Sequence, residues 1–395
     1  MPLPLFTLFL AAFAFGTAEF VIAGVLPDVA LGLGVSVPVA GYLVTGYAAG
    51  IAIGGPLLAI ATKTINRKTL VVTLALVFAL GQCLCAMAPN FEVLLAVRIA
   101  VAVLHGTYFG IAFVVGTGTV PPERRGFAMA VILAGLTVSN VLGVPAGTAI
   151  GHALGWRATF WAVGGFAFVA ALGLIFFLPA KAGASATVGS FRQEIRTIGR
   201  QQIFVGLLIA ILVMIGQYSL FTYIAPLLTE VTRLDASALP PILLAYGVGS
   251  TIGVFIGGRM ADWRLMPSVL IILSVQALLF AAVYFASPYA LPMIILVLFW
   301  GGANFAIGSP LQSRMLLWAA DAPNLTSTLI PAGFNVGIAI GAILGSSLLE
   351  AGMGYGSLPL IGTASVLMAL VLALCSHFAE NRSGRAPPLP MGATA

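Results

Sequence analysis

Charge is what this chain has least of. Only 7% of its 395 residues are Asp, Glu, Lys or Arg, against about a quarter in soluble globular proteins, while 61% are hydrophobic. That balance excludes a water-soluble domain and identifies an integral membrane protein. Cysteine is scarce as well: Cys83, Cys85 and Cys375 all lie in apolar stretches, an odd number with neither a disulfide nor a metal logic. There is no GxxxxGK[ST] phosphate loop, no HExxH and no clustered His, Cys and Asp, so ATP-driven transport and metal catalysis lack their parts. The expectation is a non-enzyme without cofactor or metal. Its net charge of +6 needs no nucleic acid partner, because membrane topology and anionic lipid account for it.

Long apolar runs are what the chain has in quantity. They come in pieces of about 20 to 25 residues, the length a helix needs to cross a hydrocarbon core of about 30 Å. The predicted fold is an all-α membrane protein of twelve transmembrane helices. The cuts between spans three and four, at "APNFE", and between nine and ten, at "ASPYA", rest on Pro and Asn turn signals. The first span lacks a basic n-region and is too long for the apolar core of a signal peptide, so it is expected to stay attached. Lys and Arg placement supports the same topology. With both termini cytoplasmic, fourteen of the 17 basic residues fall on the cytoplasmic side, Arg157 and Arg233 fall outside, and Arg98 lies within a span.

One long polar linker, 180–201, separates an N-terminal six-helix half, 1–179, from a C-terminal half, 202–380; residues 381–395 read as a disordered cytoplasmic tail. An internal repeat makes the halves pseudo-symmetric. Gly46, Gly50 and Gly54 in span two match Gly249, Gly253 and Gly257 in span eight. Gly143, Gly147 and Gly151 in span five match Gly337, Gly341 and Gly345 in span eleven. Each triplet lies on one helix face, where missing side chains let another backbone approach. The expectation is that these faces form the surface on which the halves rock against each other.

Three stretches carry a resemblance to a known family: "GTAEFVIAGVLPD" in span one, "LGVPAGTAIG" with Pro145 in span five, and "GGRMAD", Gly257 to Asp262, after span eight. Over residues 1 to about 380 the chain resembles the major facilitator superfamily, in particular its twelve-span drug:proton antiporters and their arabinose, purine and chloramphenicol efflux relatives. The resemblance implies alternating access, with spans one, four, seven and ten lining the cavity. Two departures stand out. The first-half loop has Ala59 where the family carries an acid, and span four reads "RIAVAVLHG", keeping Arg98 but not the Gln that usually follows it.

Glu19 and Arg98 can be placed without the family. If span one leaves the membrane near Leu26 and span four enters at Phe91, both groups lie about 10 Å below the outer surface, at about 1.5 Å per residue. An ionised group at mid-span is costly, so such groups pair or face a cavity. Glu19 and Arg98 form either a static ion pair or a proton-exchanging site. The second is favoured because Glu92, Glu230 and Glu350 sit at helix ends and no other acid is clearly inside a span. His105 lies two turns from Arg98 on nearly the same face, and is either a proton relay or substrate contact, or a neutral packed side chain. The expected cavity walls are Phe13, Phe15, Phe20, Tyr108, Phe109, Gln217, Tyr218, Phe221, Tyr223, Trp300, Asn304 and Phe305. Gln217 and Asn304 stand out because an amide facing lipid is left unsatisfied. Asn140 and Asn335 read as hydrogen bonds between helices.

The expected function is a monomeric, proton-coupled exporter of a small amphipathic compound, embedded in the bilayer of the inner membrane. Alternatives are export of a polar metabolite such as a sugar or purine nucleoside, or a receptor or passive channel.

Overall fold

A computed structural model describes residues 2–180, 200–318 and 323–383. Most of the linker, 181–199, and of the tail, 384–395, therefore lie outside the described residues. Twelve helices are long and apolar enough to cross a membrane. In chain order spans one to six are Leu3–Phe20, Val37–Ala61, Arg67–Met87, Phe91–Thr117, Arg125–Leu154 and Trp156–Phe177. Spans seven to twelve are Gln201–Phe221, Ala236–Trp263, Leu265–Ala286, Ala290–Trp318, Ile330–Glu350 and Tyr355–Glu380. No strand occurs among the described residues.

Helix starts follow local chemistry. The Ser36, Asn66 and Asn90 side chains accept hydrogen bonds from the first free N–H groups of spans two, three and four. The helix of span one breaks at Val21 and resumes as a second helix, Ile22–Leu33, that contains Leu26 and Pro27 and ends on Gly34 at φ 68°. Proline lacks an N–H and its ring crowds the carbonyl four residues back, which weakens the ladder just beyond Glu19. Pro56 and Pro145 leave a comparable mark. In the turn before each, the ladder slips by one residue into a π-helix, and Gly55 N–H reaches Gly50 O while Val144 N–H reaches Ser139 O.

The halves meet where span two faces span eleven and span five faces span eight. Ser346 Oγ donates to Pro38 O at 2.7 Å, and Gly247 lies against the backbone of Asn140 and Val141. The helices expected at this contact are there, but the glycine triplets are not turned toward it. A Cβ on Gly50 would sit 2.8 Å from the Ala102 Cβ and 2.9 Å from the Ile99 carbonyl oxygen of span four, and Gly54 abuts Val103 of the same helix. Gly143 and Gly147 pack on Thr17 and Val21, Gly253 and Gly257 on the Gly302 and Ala306 carbonyls of span ten, and Gly337 and Gly341 on Ile211 and Ile215 of span seven. All four triplets therefore hold helices together inside one half. A period of four identifies a smooth face but not the helix it meets.

Asn140 and Asn335 also depart from expectation: each amide donates to a carbonyl of its own helix, Leu136 and Pro331. At the arginine-rich end, Arg314 is buried and bonds Gln202 and Ser376 at 2.9 and 2.8 Å and pairs with Glu380, tying spans seven, ten and twelve together. Large apolar side chains such as Phe176, Phe255, Leu278 and Phe285 stay exposed on the outside of the bundle, where lipid is their solvent.

Candidate functional site: a buried carboxylate between the halves

Glu19 sits two residues before the break in span one, with its side chain 11% exposed. Across from it His105 Nε2 lies 3.7 Å from Oε2, longer than a hydrogen bond and short enough for an ion pair when the ring is charged. The other ring nitrogen, Nδ1, is 3.0 Å from the Tyr47 hydroxyl of span two. Phe15 and Phe109 flank the imidazole at 5.4 and 5.2 Å between ring centres.

Arg98 does share its depth with Glu19, but the two do not form a direct pair. Its guanidinium, 1% exposed, donates to Ala18 O at 3.3 Å and Leu43 O at 3.5 Å and lies 4.6 Å above the Tyr47 ring and 5.9 Å from the Phe160 ring. The Ala18 carbonyl is in the last turn before the helix break, where carbonyls lack a full set of helical partners. Backbone oxygens and aromatic faces thus hold a cation that the sequence assigned to a carboxylate. Through the Ala18 carbonyl, Arg98 places a fixed positive charge next to the turn that carries Glu19.

A small pocket lies between the halves, lined by Glu19, Phe20, Ile22, Ala23 and Val44 on one side and Tyr218, Phe221 and Thr222 on the other. Behind Phe221 stands a hydrogen-bonded cluster within the C-terminal half. Trp300 Nε1 donates to Gln217 Oε1 at 2.6 Å, and Gln217 Nε2 donates to the Tyr246 hydroxyl at 2.7 Å. The same hydroxyl is 3.3 Å from Asn304 Nδ2. Phe221 packs on Tyr246 and Trp300 at 4.7 and 5.9 Å. Asn304 keeps one buried amide atom, Oδ1, without a protein partner.

Glu19, Arg98, His105, Phe20, Phe109, Gln217, Tyr218, Phe221, Trp300 and Asn304 thus gather around one central region. Of the other expected wall residues, Phe15 flanks His105, Tyr223 donates to the Ala342 carbonyl of span eleven at 3.2 Å, and two more are turned away. Tyr108 is turned into the N-terminal half, stacked on Phe15 at 4.3 Å with its hydroxyl on Leu8 O, and Phe13 packs on Phe166 of span six at 4.9 Å. Tyr108 follows the interior face of its half and Phe13 is half-buried against the exposed Phe166, and hydropathy separates neither position from a cavity face. Asp262 is exposed and makes no ion pair among the described residues. Tyr47 and Tyr246 are the functional candidates that sequence reasoning missed. A mid-span phenol hydroxyl, like a mid-span amide, is left unsatisfied if it faces lipid, and that signal marks both residues in the sequence. Among the described residues no group of three or more His, Cys, Asp or Glu could hold a metal ion.

Comparison with known proteins gives the same setting. The Major Facilitator Superfamily profile matches residues 8–324. The chain is 35% identical to the inner membrane transport protein YdhP of Escherichia coli (strain K12), over 94% of this chain and 95% of the relative. It is 34% identical to a chloramphenicol resistance protein of Streptomyces lividans over 98% and 99% of the two chains, and 28% identical to a probable sugar efflux transporter of Mannheimia succiniciproducens over 92% of each. In three dimensions it resembles a bacterial homologue of the human lysosomal transporter Spinster in an inward-facing, occupied conformation. The TM-score is 0.74 at 19% identity, covering 97% of this chain and 98% of that one, a likeness of fold.

Proposed function

Since the chain belongs to the Major Facilitator Superfamily and is a multi-pass membrane transporter, we propose that it is a proton-driven antiporter exporting small amphipathic compounds by alternating access. The observation that carries this reading is the position of Glu19. It is the acidic side chain placed in the interior of a span among the described residues, and it borders a pocket whose far wall belongs to the other half. A carboxylate there takes up a proton or, once ionised, helps to hold a solute, so protonation weakens solute binding without abolishing it. Rocking of the halves then exposes the site to each side in turn. Aromatic walls with a few amides suit a solute that is mostly apolar and makes a small number of hydrogen bonds. A chloramphenicol resistance protein among the relatives supports the same solute class.

Export of a polar metabolite is the second reading. It is favoured by the likeness to a probable sugar efflux transporter and by the unpartnered amide atom of Asn304. One experiment separates the two. Proteoliposomes with an acidic lumen are offered labelled dyes, antibiotics, sugars and nucleosides. Accumulation of amphipathic compounds that collapses when the pH gradient is dissipated is the expected result, and accumulation of sugars or nucleosides alone selects the second reading.

The proposal includes an orientation: a monomer in the inner membrane with both termini and the arginine-rich end cytoplasmic, supported by the bias of basic residues. Single cysteines replacing Ala182 or Asp235, in a background lacking Cys83, Cys85 and Cys375, are expected to label from opposite faces of the membrane, Ala182→Cys from the cytoplasm. Labelling of both from one face overturns this orientation.

A further inference from the structure

The glycines of span two bring a tyrosine into the proton site. Because Gly46, Gly50 and Gly54 have no side chains, span two lies directly on Leu95, Ile99, Ala102 and Val103 of span four, and a Cβ on Gly55 would sit 2.8 Å from the Gly106 Cα. Thr107 Oγ1 fixes the same register by donating to Gly55 O at 3.0 Å. At this separation the Tyr47 hydroxyl reaches His105 Nδ1 at 3.0 Å while its ring stays under the Arg98 guanidinium.

A neutral imidazole has one nitrogen that donates and one that accepts. Among the described residues the Tyr47 hydroxyl has no partner except Nδ1, and Tyr47 is 2% exposed. If Nδ1 carried the proton, the hydroxyl could accept from it, but its own hydrogen would be left without a protein acceptor. With the hydroxyl donating to Nδ1, both groups are satisfied and the ring proton sits on Nε2, the nitrogen that faces Glu19. We propose that Tyr47 is the positioning residue of the proton site: by holding His105 in the Nε2–H tautomer it aims an N–H at the Glu19 carboxylate. This rests on the reading of Glu19 as the proton-binding group.

The consequence is chemical. An N–H pointing at Glu19 favours the carboxylate, whereas a bare nitrogen lone pair there would accept from the protonated acid and favour that form instead. Tyr47 thereby sets the pH at which the site loads. The other titratable or charged groups around this cluster are Glu19 of span one, Cys85 of span three, Arg98 and Tyr108 of span four and Tyr218 of span seven. None of them touches Nδ1, so none can replace the hydroxyl.

The test uses the fact that the chain has only 3 histidines. In full-length protein labelled with ¹⁵N-histidine, the His105 resonances are those lost in His105→Asn. The expected wild-type spectrum at neutral pH shows His105 with Nε2 protonated and Nδ1 bare, and Tyr47→Phe shows a mixture or the inverse. In proteoliposomes Tyr47→Phe is expected to move the midpoint of proton-driven transport about one pH unit toward alkaline, a tenfold change in proton affinity. A wild-type His105 protonated on Nδ1 overturns the proposal. So does a Tyr47→Phe protein with the wild-type tautomer and an unchanged pH profile. If Tyr47→Phe does not fold, the wild-type tautomer decides alone. Continued concentrative transport by Glu19→Gln would defeat the proton reading itself, while leaving the tautomer result to decide what Tyr47 does to His105.

Discussion

Glu19→Gln protein reconstituted in vesicles with an acidic lumen is expected to bring its solute to equal concentrations on the two sides and no further, while still binding it. Glutamine copies the shape and hydrogen bonding of a protonated glutamate but cannot release a proton. A gradient of one pH unit stores about 1.4 kcal/mol per proton, enough for about a tenfold solute gradient. Wild-type vesicles should approach that ratio and the variant should stay near one. Solute binding measured by equilibrium dialysis should change by less than about tenfold, because the aromatic and amide walls from Phe20 to Asn304 are untouched. Undiminished accumulation would mean that the proton travels on another group, and His105, 3.7 Å away, would be the next to examine.

Two glycines of span eight are expected to fail in different ways. Gly247 lies on the other half: a Cβ there would be 2.5 Å from the Asn140 carbonyl oxygen and 2.6 Å from the Val141 Cα. Gly247→Leu should therefore wedge spans five and eight apart, leave each half folded, and reduce transport by at least about tenfold, since a contact that must form in every cycle no longer can. Gly253 lies within its own half against the Gly302 carbonyl of span ten. Gly253→Leu should overpack that pair by about 1–3 kcal/mol or more and lower the thermal stability of detergent-purified protein by several degrees. Transport rates and unfolding curves of the two variants separate the effects. If Gly247→Leu transports at the parental rate, the contact between spans five and eight is not part of the cycle.

The sequence by itself determined the twelve spans, the division into halves and the one carboxylate with an arginine and a histidine near its depth. These follow from local properties. Apolar length, Asn and Ser caps, and Pro and Gly breaks act within a few residues of where they are written, and a charge inside an apolar run stands out wherever the helix ends up. Local signals did not show the break at Val21, after which a second helix runs from Ile22 to Leu33. Only the tertiary structure decided which neighbour each helix face meets. It turned the glycine triplets inward, sent Tyr108 to Leu8 and Phe13 to Phe166, and gave Arg98 the carbonyl of Ala18 rather than the carboxylate of Glu19. It also joined Tyr47 to His105, 58 positions apart, and Tyr246 to Gln217, 29 apart. Such pairs depend on the rotation of one helix against another. In a bundle that is apolar all round, no stripe of polarity marks that rotation; close packing of glycine against backbone and the need to satisfy each buried hydroxyl and amide fix it instead.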